Sequence, residues 1–201
     1  MLGPVRQKHL WIILLAAVVV VAVLAVGARL PFWAGKEIEA TGTPTIGGPF
    51  TLIDHQGRAV TEADFRGSYM LIYFGFTTCP DICPTTLQTV SQALDEIGNT
   101  AERVRPILIT IDPARDTPRV LADYVGHFHP RMVGLTGTDD QVAAVAKVYG
   151  VYYAKAPGAD EDYLMDHSSI LYLMDAEGRF VRHFAPGAGA AELVAALREV
   201  L

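Results

Sequence analysis

Two cysteines, Cys79 and Cys83, are the only ones in the 201-residue chain, and they stand four positions apart between Tyr73 and Leu87. Thiols at that spacing can close a disulfide, cycle as a redox couple, or ligate a metal ion as thiolates. Behind them Leu87, Val90, Leu94 and Ile97 recur at helical spacing until Gly98, so the pair sits at a helix start. There the positive end of the helix dipole and the unpaired N–H groups lower a thiol pKa. That favours nucleophile and metal ligand alike. Spacing says more: positions i and i+4 share one helix face, which suits joint ligation of one ion, or a disulfide with some distortion. The redox motif Cys-x-x-Cys is one residue shorter than the spacing here.

A third ligand would separate metal binding from a plain disulfide, and six histidines are available. His9 precedes a long apolar run, His55 lies in a turn, His127 and His129 end a helical pattern, and His183 falls in a hairpin. Those five read as structural or surface histidines. His167 stands in Asp166-His167-Ser168-Ser169, a polar turn ahead of the last hairpin. Two thiolates and an imidazole make a soft set that suits Cu(I), and a distorted variant takes Cu(II). Asp166 or Ser168 is placed to orient the ring. On the residues alone, a metal site and a structural disulfide both remain open.

The elements that must position these groups are readable in order. Gly47-Gly48-Pro49 is a turn, Phe50–Ile53 a short strand, Asp54–Arg58 a turn and Ala59-Val60 a returning strand. Thr61 with Asp64 is a capping signature. Tyr69–Gly75 is apolar without alternation, as in a strand buried on both faces, and Val104–Ile111 is a second. Asp116-Thr117-Pro118 opens a helix carrying Val120, Leu121, Tyr124, Val125 and Phe128, and Met132–Leu135 is a short strand. Thr138 caps a helix with Val142, Val145, Ala146 and Tyr149; Val151–Ala154 follows as a strand and Lys155–Asp162 as a polar loop. Ile170–Met174 and Arg179–Phe184 flank Asp175-Ala176-Glu177-Gly178 as a hairpin, and Ala190–Leu201 is a last helix. Alternating strands and helices predict a parallel sheet with an antiparallel part. The expectation is a three-layer α/β fold of thioredoxin-like arrangement with a mixed central sheet. In such a fold the turn before the final hairpin faces the cysteines. Oxidoreductases carry a proline there, and this chain has none between Pro157 and Pro186.

Residues 10–28 contain no charge and match the roughly 20 residues that span a hydrocarbon core. We read them as one transmembrane helix, longer than the core of a cleaved signal. Residues 1–9 then form a cytoplasmic start carrying Arg6 and Lys8, 29–45 a tether, and 46–201 the single domain. The expected location is the inner membrane, single-pass, with the domain on the extracytoplasmic side, periplasmic or intermembrane-space. All 22 acidic residues but only 13 of the 16 basic ones follow Arg29, so the stretch beyond Arg29 carries −9. That charge repels phosphate backbones and argues against nucleic acid as a partner.

Four blocks together resemble the SCO/SenC family: Gly47–Asp54, Phe76–Pro84, Ile111–Pro118 and Asp166–Ser169. The resemblance implies a thioredoxin-like domain that binds copper, as Cu(I), Cu(II) or both, and helps to build the CuA centre of cytochrome c oxidase subunit II. The family's copper ligands then fall on Cys79, Cys83 and His167. Subunit II is the implied partner, with another periplasmic copper chaperone as a further one. Asp81, Asp112 and Asp166 are candidates for the surroundings of the site, the residues from Asp112 to Pro118 forming a wall beside it or simply loop and cap. The redox-active pair Cys79 and Cys83 also fits a thiol-disulfide reductase that keeps the CuA cysteines reduced, so an enzyme activity stays open as a secondary role.

Overall fold

The computed structural model describes residues 46–156 and 163–201. The start, anchor and tether expected over 1–45 lie outside the described residues, as does most of the 155–162 loop. Among the described residues no helix is long and apolar enough to cross a membrane.

The fold opens on a hairpin of β1 (Thr51–Asp54) and β2 (Ala59–Thr61). There follow β3 (Tyr69–Gly75), α1 (Ile82–Ile97), β4 (Val104–Thr110), α2 (Pro118–Val125), β5 (Val133–Thr136) and α3 (Asp139–Val148). Two short strands, β6 (Tyr153–Lys155) and β7 (Met165–His167), precede the hairpin of β8 (Leu171–Met174) and β9 (Phe180–Phe184) and the closing helix α4 (Ala190–Val200). Seven strands form one sheet in the order β2-β1-β5-β4-β3-β8-β9. β3, β4 and β5 run parallel; β1 and β8 join them antiparallel. This is the expected thioredoxin-like fold with a mixed sheet.

The sequence pattern explains the layering. Met70 through Gly75 are all buried, and since successive side chains point to opposite faces, both faces of β3 must be covered. The sheet's centre is therefore sealed, and polar chemistry is confined to the strand ends. Stop and start signals work as read: Gly98 ends α1 with φ 59°, Thr117 with Pro118 starts α2, and Thr138 and Gln141 cap α3 reciprocally. α2 stops at Val125, so Phe128, His127 and His129 lie beyond it. Gly134 lets α2 close on β5, for a Cβ there would come within 3.1 Å of Leu121 and Val125.

One segment departs from expectation. Asp166-His167 is not a free turn but strand, paired as Tyr153↔His167 and Ala154↔Asp166 in a two-stranded sheet of its own. Three-residue strands outside the main sheet have no apolar alternation to announce them.

Both hairpins of the main sheet turn on the same device. In Asp54-His55-Gln56-Gly57-Arg58, Asp54 Oδ1 accepts from the amides of Gln56 and Arg58 and its Oδ2 from Arg58 Nε, at 2.8–2.9 Å. Asp175-Ala176-Glu177-Gly178-Arg179 repeats these bonds at 2.8–3.0 Å. Gly57 and Gly178 take φ of 82° and 80°, which suits glycine. Burial alone would raise the Asp54 carboxyl, but the bonds from Arg58 and Gln56 outweigh it and hold it below its ordinary 3.8. Its stabilisation is therefore present above that value and lost as pH falls through the lower folded one. Arg58 is exposed, so the ion pair itself adds little. Asp54→Ala should cost about 2 kcal/mol at pH 7, chiefly from two orphaned amides, and chemical denaturation should show the gap closing at acid pH.

Candidate metal centre

The C-terminal end of β3 delivers the chain into Phe76-Thr77-Thr78-Cys79. Thr77 is tied down there. Its amide and hydroxyl donate to Asp116, at 3.1 and 2.5 Å, and Thr110 Oγ1 donates to the same carboxylate at 2.5 Å. Asp116 is fully buried, and burial pushes its carboxyl above its ordinary value. Three donors compensate a charge that would otherwise be costly to enclose.

α1 begins at Ile82, so the cysteines do not share a helix face as the spacing suggested. Cys79 precedes the helix and Cys83 lies in its first turn. Asp81 occupies the capping position but its side chain does not cap. Instead Cys79 Sγ accepts the Cys83 amide at 3.4 Å, taking the place a capping oxygen usually fills. Cys83 is fully buried, and its sulfur occupies space that Gly75 leaves free: a Cβ on Gly75 would stand 2.9 Å from Sγ. The helix terminus was expected to lower the thiol pKa. For Cys83 burial prevails and pushes it up to about 12. Both thiols are free.

His167 arrives from β7. Its ring stands edge-on to Tyr73 and Phe76, with centroids 6.1 and 5.8 Å away. Nδ1 lies 3.4 Å from the Ser168 carbonyl and Nε2 3.6 Å from Cys83 Sγ. A ring that donates from Nδ1 to that carbonyl turns the Nε2 lone pair toward the sulfurs. Burial holds its pKa below the ordinary histidine value, so the ring is neutral at pH 7.

The ligand atoms of Cys79, Cys83 and His167 all lie within 4.8 Å of one another. A first-row ion about 2.3 Å from sulfur and 2.0 Å from nitrogen, with ligands about 120° apart, would separate the two by about 3.7 Å. The observed 3.6 Å between Cys83 and His167 matches. Thiolate, thiolate and imidazole beside the rings of Tyr73 and Phe76 suit a soft ion of low coordination number.

The flanking candidates fall elsewhere. Asp81 is exposed and accepts from Thr85 Oγ1 at 3.4 Å. Asp166 is exposed and makes no hydrogen bond to the ring; the Ser168 main chain orients it instead. Asp112 is buried but bonded to Tyr163 and Arg115. His55 and His129 accept the amides of Gly134 and Arg131 through Nδ1, and His183 stacks on Phe180. Sequence reasoning missed Tyr73, whose hydroxyl donates to Cys83 Sγ at 3.8 Å, and Asp116. A phenol in an otherwise apolar buried strand was the available signal for Tyr73.

The SCO1/SenC family profile matches residues 38–201. The chain belongs to this family. It is 45% identical over 166 residues to Protein sco1 of Schizosaccharomyces pombe, covering 81% of this chain and 63% of that one. To the human mitochondrial Protein SCO1 homolog it is 45% identical over 159 residues, covering 78% and 53%. It thus spans little more than half the length of these SCO1 relatives. Among solved structures it resembles copper-bound ScoI of Arabidopsis thaliana with a TM-score of 0.73 and 43% identity, over 77% of this chain and 98% of that one.

The close approach at Gly75 is testable. Gly75→Ala must push the Cys83 sulfur aside, so affinity for a thiophilic ion should fall at least about tenfold, with a stability cost of about 1–3 kcal/mol from overpacking. Competition with a chromogenic chelator measures the first and chemical denaturation the second.

Proposed function

We propose that this protein is a membrane-tethered copper chaperone in which Cys79, Cys83 and His167 hold the ion. The observation that carries this reading is the convergence of those three donors within 4.8 Å at the closed end of β3. The copper-bound ScoI fold supports the choice of metal, as does the preference of thiolate and imidazole for copper over hard cations. The cargo passes by ligand exchange to the cysteines of the CuA centre of cytochrome c oxidase subunit II, the acceptor that family membership suggests. The uncharged run of residues 10–28 supplies the anchor in the inner membrane, with the domain on the extracytoplasmic side.

The chain's own groups set the conditions of loading. Cys83 is a thiol at neutral pH, so binding as thiolate releases its proton to solvent. His167 is already neutral and gives its lone pair without that cost. Tyr73 donates to the Cys83 sulfur and can keep that bond when charge develops there. The apolar walls of Phe76 and Tyr73 keep water from competing.

A thiol-disulfide reductase acting on the oxidase cysteines is the second reading. The Cys-x-x-x-Cys spacing, one residue longer than the redox motif, and the lack of a proline between Pro157 and Pro186 count against a general oxidoreductase, which favours the chaperone. Cu(I) titration of the reduced protein should give tight one-to-one binding. His167→Ala should weaken it by about 10- to 100-fold. Binding indifferent to His167, with rapid reduction of disulfide substrates, would sink the proposal.

The pH dependence follows from Cys83. Between pH 6 and 9 its proton alone should make Cu(I) affinity rise about tenfold per pH unit. Below the lowered His167 pKa, protonation of the ring should steepen the slope. Competition titrations across that range check the first, and their extension into more acid solution checks the second; a flat profile contradicts a buried thiol ligand.

A further inference from the structure

The two sides of the metal centre are 84 residues apart in sequence and come from different sheets, yet one turn grips both. Residues Asp112 to Asp116 follow β4. Their backbone is closed on itself, the Arg115 and Asp116 amides both donating to the Asp112 carbonyl at 3.2 and 3.0 Å. Thr110 braces it from the strand, accepting the Asp112 amide at 2.9 Å and donating to Asp116 at 2.5 Å. On one side this turn holds the cysteine loop, through Asp116 and Thr77.

On the other side it holds the arm that carries His167. The β6–β7 pair shares no ladder with the central sheet. Its end next to His167 is closed by the Ser168 amide on the Tyr152 carbonyl at 2.9 Å and the Tyr152 amide on Ser168 Oγ at 3.2 Å. At its other end stands Tyr163, four residues before His167. The Tyr163 hydroxyl donates to Asp112 Oδ1 at 2.6 Å. Its ring lies between two cations, Arg115 with Cζ 3.7 Å from the centroid and Lys155 with Nζ at 4.1 Å. Arg115 Nε in turn pairs with Asp112 Oδ2. A buried phenol bonded to a carboxylate and faced by two cations is over-determined for a surface turn.

We propose that Tyr163 is a positioning residue for His167. It latches the β6–β7 arm to the turn through which Asp116 holds the cysteine loop, and so fixes the gap in which two thiols and the imidazole meet. The inference rests on the metal-centre reading above, and it adds what sets the geometry of that centre. Tyr163 touches no ligand atom; it acts through the arm. Losing its hydroxyl bond should leave the two thiolates able to hold Cu(I) while the imidazole engages less.

The test is a double-mutant cycle in the reduced full-length protein with Cu(I) as probe. Tyr163→Phe should weaken binding by roughly tenfold, the size of one lost hydrogen bond to a charged group. In a His167→Ala background the same change should do almost nothing. Asp112→Asn, which keeps a carbonyl acceptor for the phenol but loses the charge that Arg115 pairs with, should fall between wild type and Tyr163→Phe. Without metal, amide hydrogen exchange at Asp166, His167 and Ser168 should speed up in Tyr163→Phe while amides of β3 and β4 stay unchanged. An equal loss with and without His167, or no loss together with unaltered exchange in the arm, would overturn the latch. Were the wild type itself to bind no Cu(I), the chaperone reading would fall, and exchange in the arm would still decide the latch by itself.

Discussion

The site depends first on the register of β3 against β8. These strands pair antiparallel, Tyr73 opposite Leu171, so the chain leaves β3 and enters β8 at the same end of the sheet. The cysteine loop starts from one and the histidine arm arrives at the other. A slip of one residue would exchange the faces of every side chain on β3. Tyr73 would turn away from Cys83, and Phe76 would no longer wall the imidazole. With both faces apolar the register is set by shape and not by polarity: Ile72, Tyr73 and Phe74 are all fully buried, and a close-packed interior fits each side chain in one place. A core that tolerates no slip is the reason three donors from distant parts of the chain come within 4.8 Å of one another.

Much of this was legible in the residues. Cys79, Cys83 and His167 were nominated by donor softness and place in the fold, and the structure brings them together. Gly98, Thr117 with Pro118, and Thr138 bounded helices through capping chemistry that acts locally and so reads locally. What stayed hidden is what depends on tertiary contact. β7 is held by three partner residues and by Tyr163, neither of which imposes a period on the sequence. Cys79 stands outside the helix because its own sulfur receives the Cys83 amide. Asp116 looked like one charge in a polar stretch; only with Thr77 and Thr110 beside it does it read as an anchor. Asp81 and Asp166 were suggested by adjacency to ligands, and both face solvent.

Charge placement follows one logic throughout. Asp54 and Asp175 sit at turns with arginine and amide donors and carry their charge cheaply. Asp116 lies in the interior with three donors and still has its carboxyl pushed up. Cys83 has the Tyr73 hydroxyl as a donor, yet burial outweighs it and the group remains a thiol. The buried acidic groups near the site are therefore of two kinds: carboxylates met by several donors of the protein, and a thiol that keeps its proton.

The distance in sequence between the thiols and the imidazole has a consequence for folding order. Cys79 and Cys83 are near neighbours in the chain, so an unfolded molecule can capture a thiophilic ion with them alone. His167 can join only after β8 has found β3 and the β6–β7 arm has settled, contacts of high sequence separation that form late. Three-fold coordination then requires these long-range contacts, which two neighbouring thiols do not. Any ion bound by all three donors stabilises the finished fold over its precursors. An ion held by all three donors would therefore report on the assembly that brings them together.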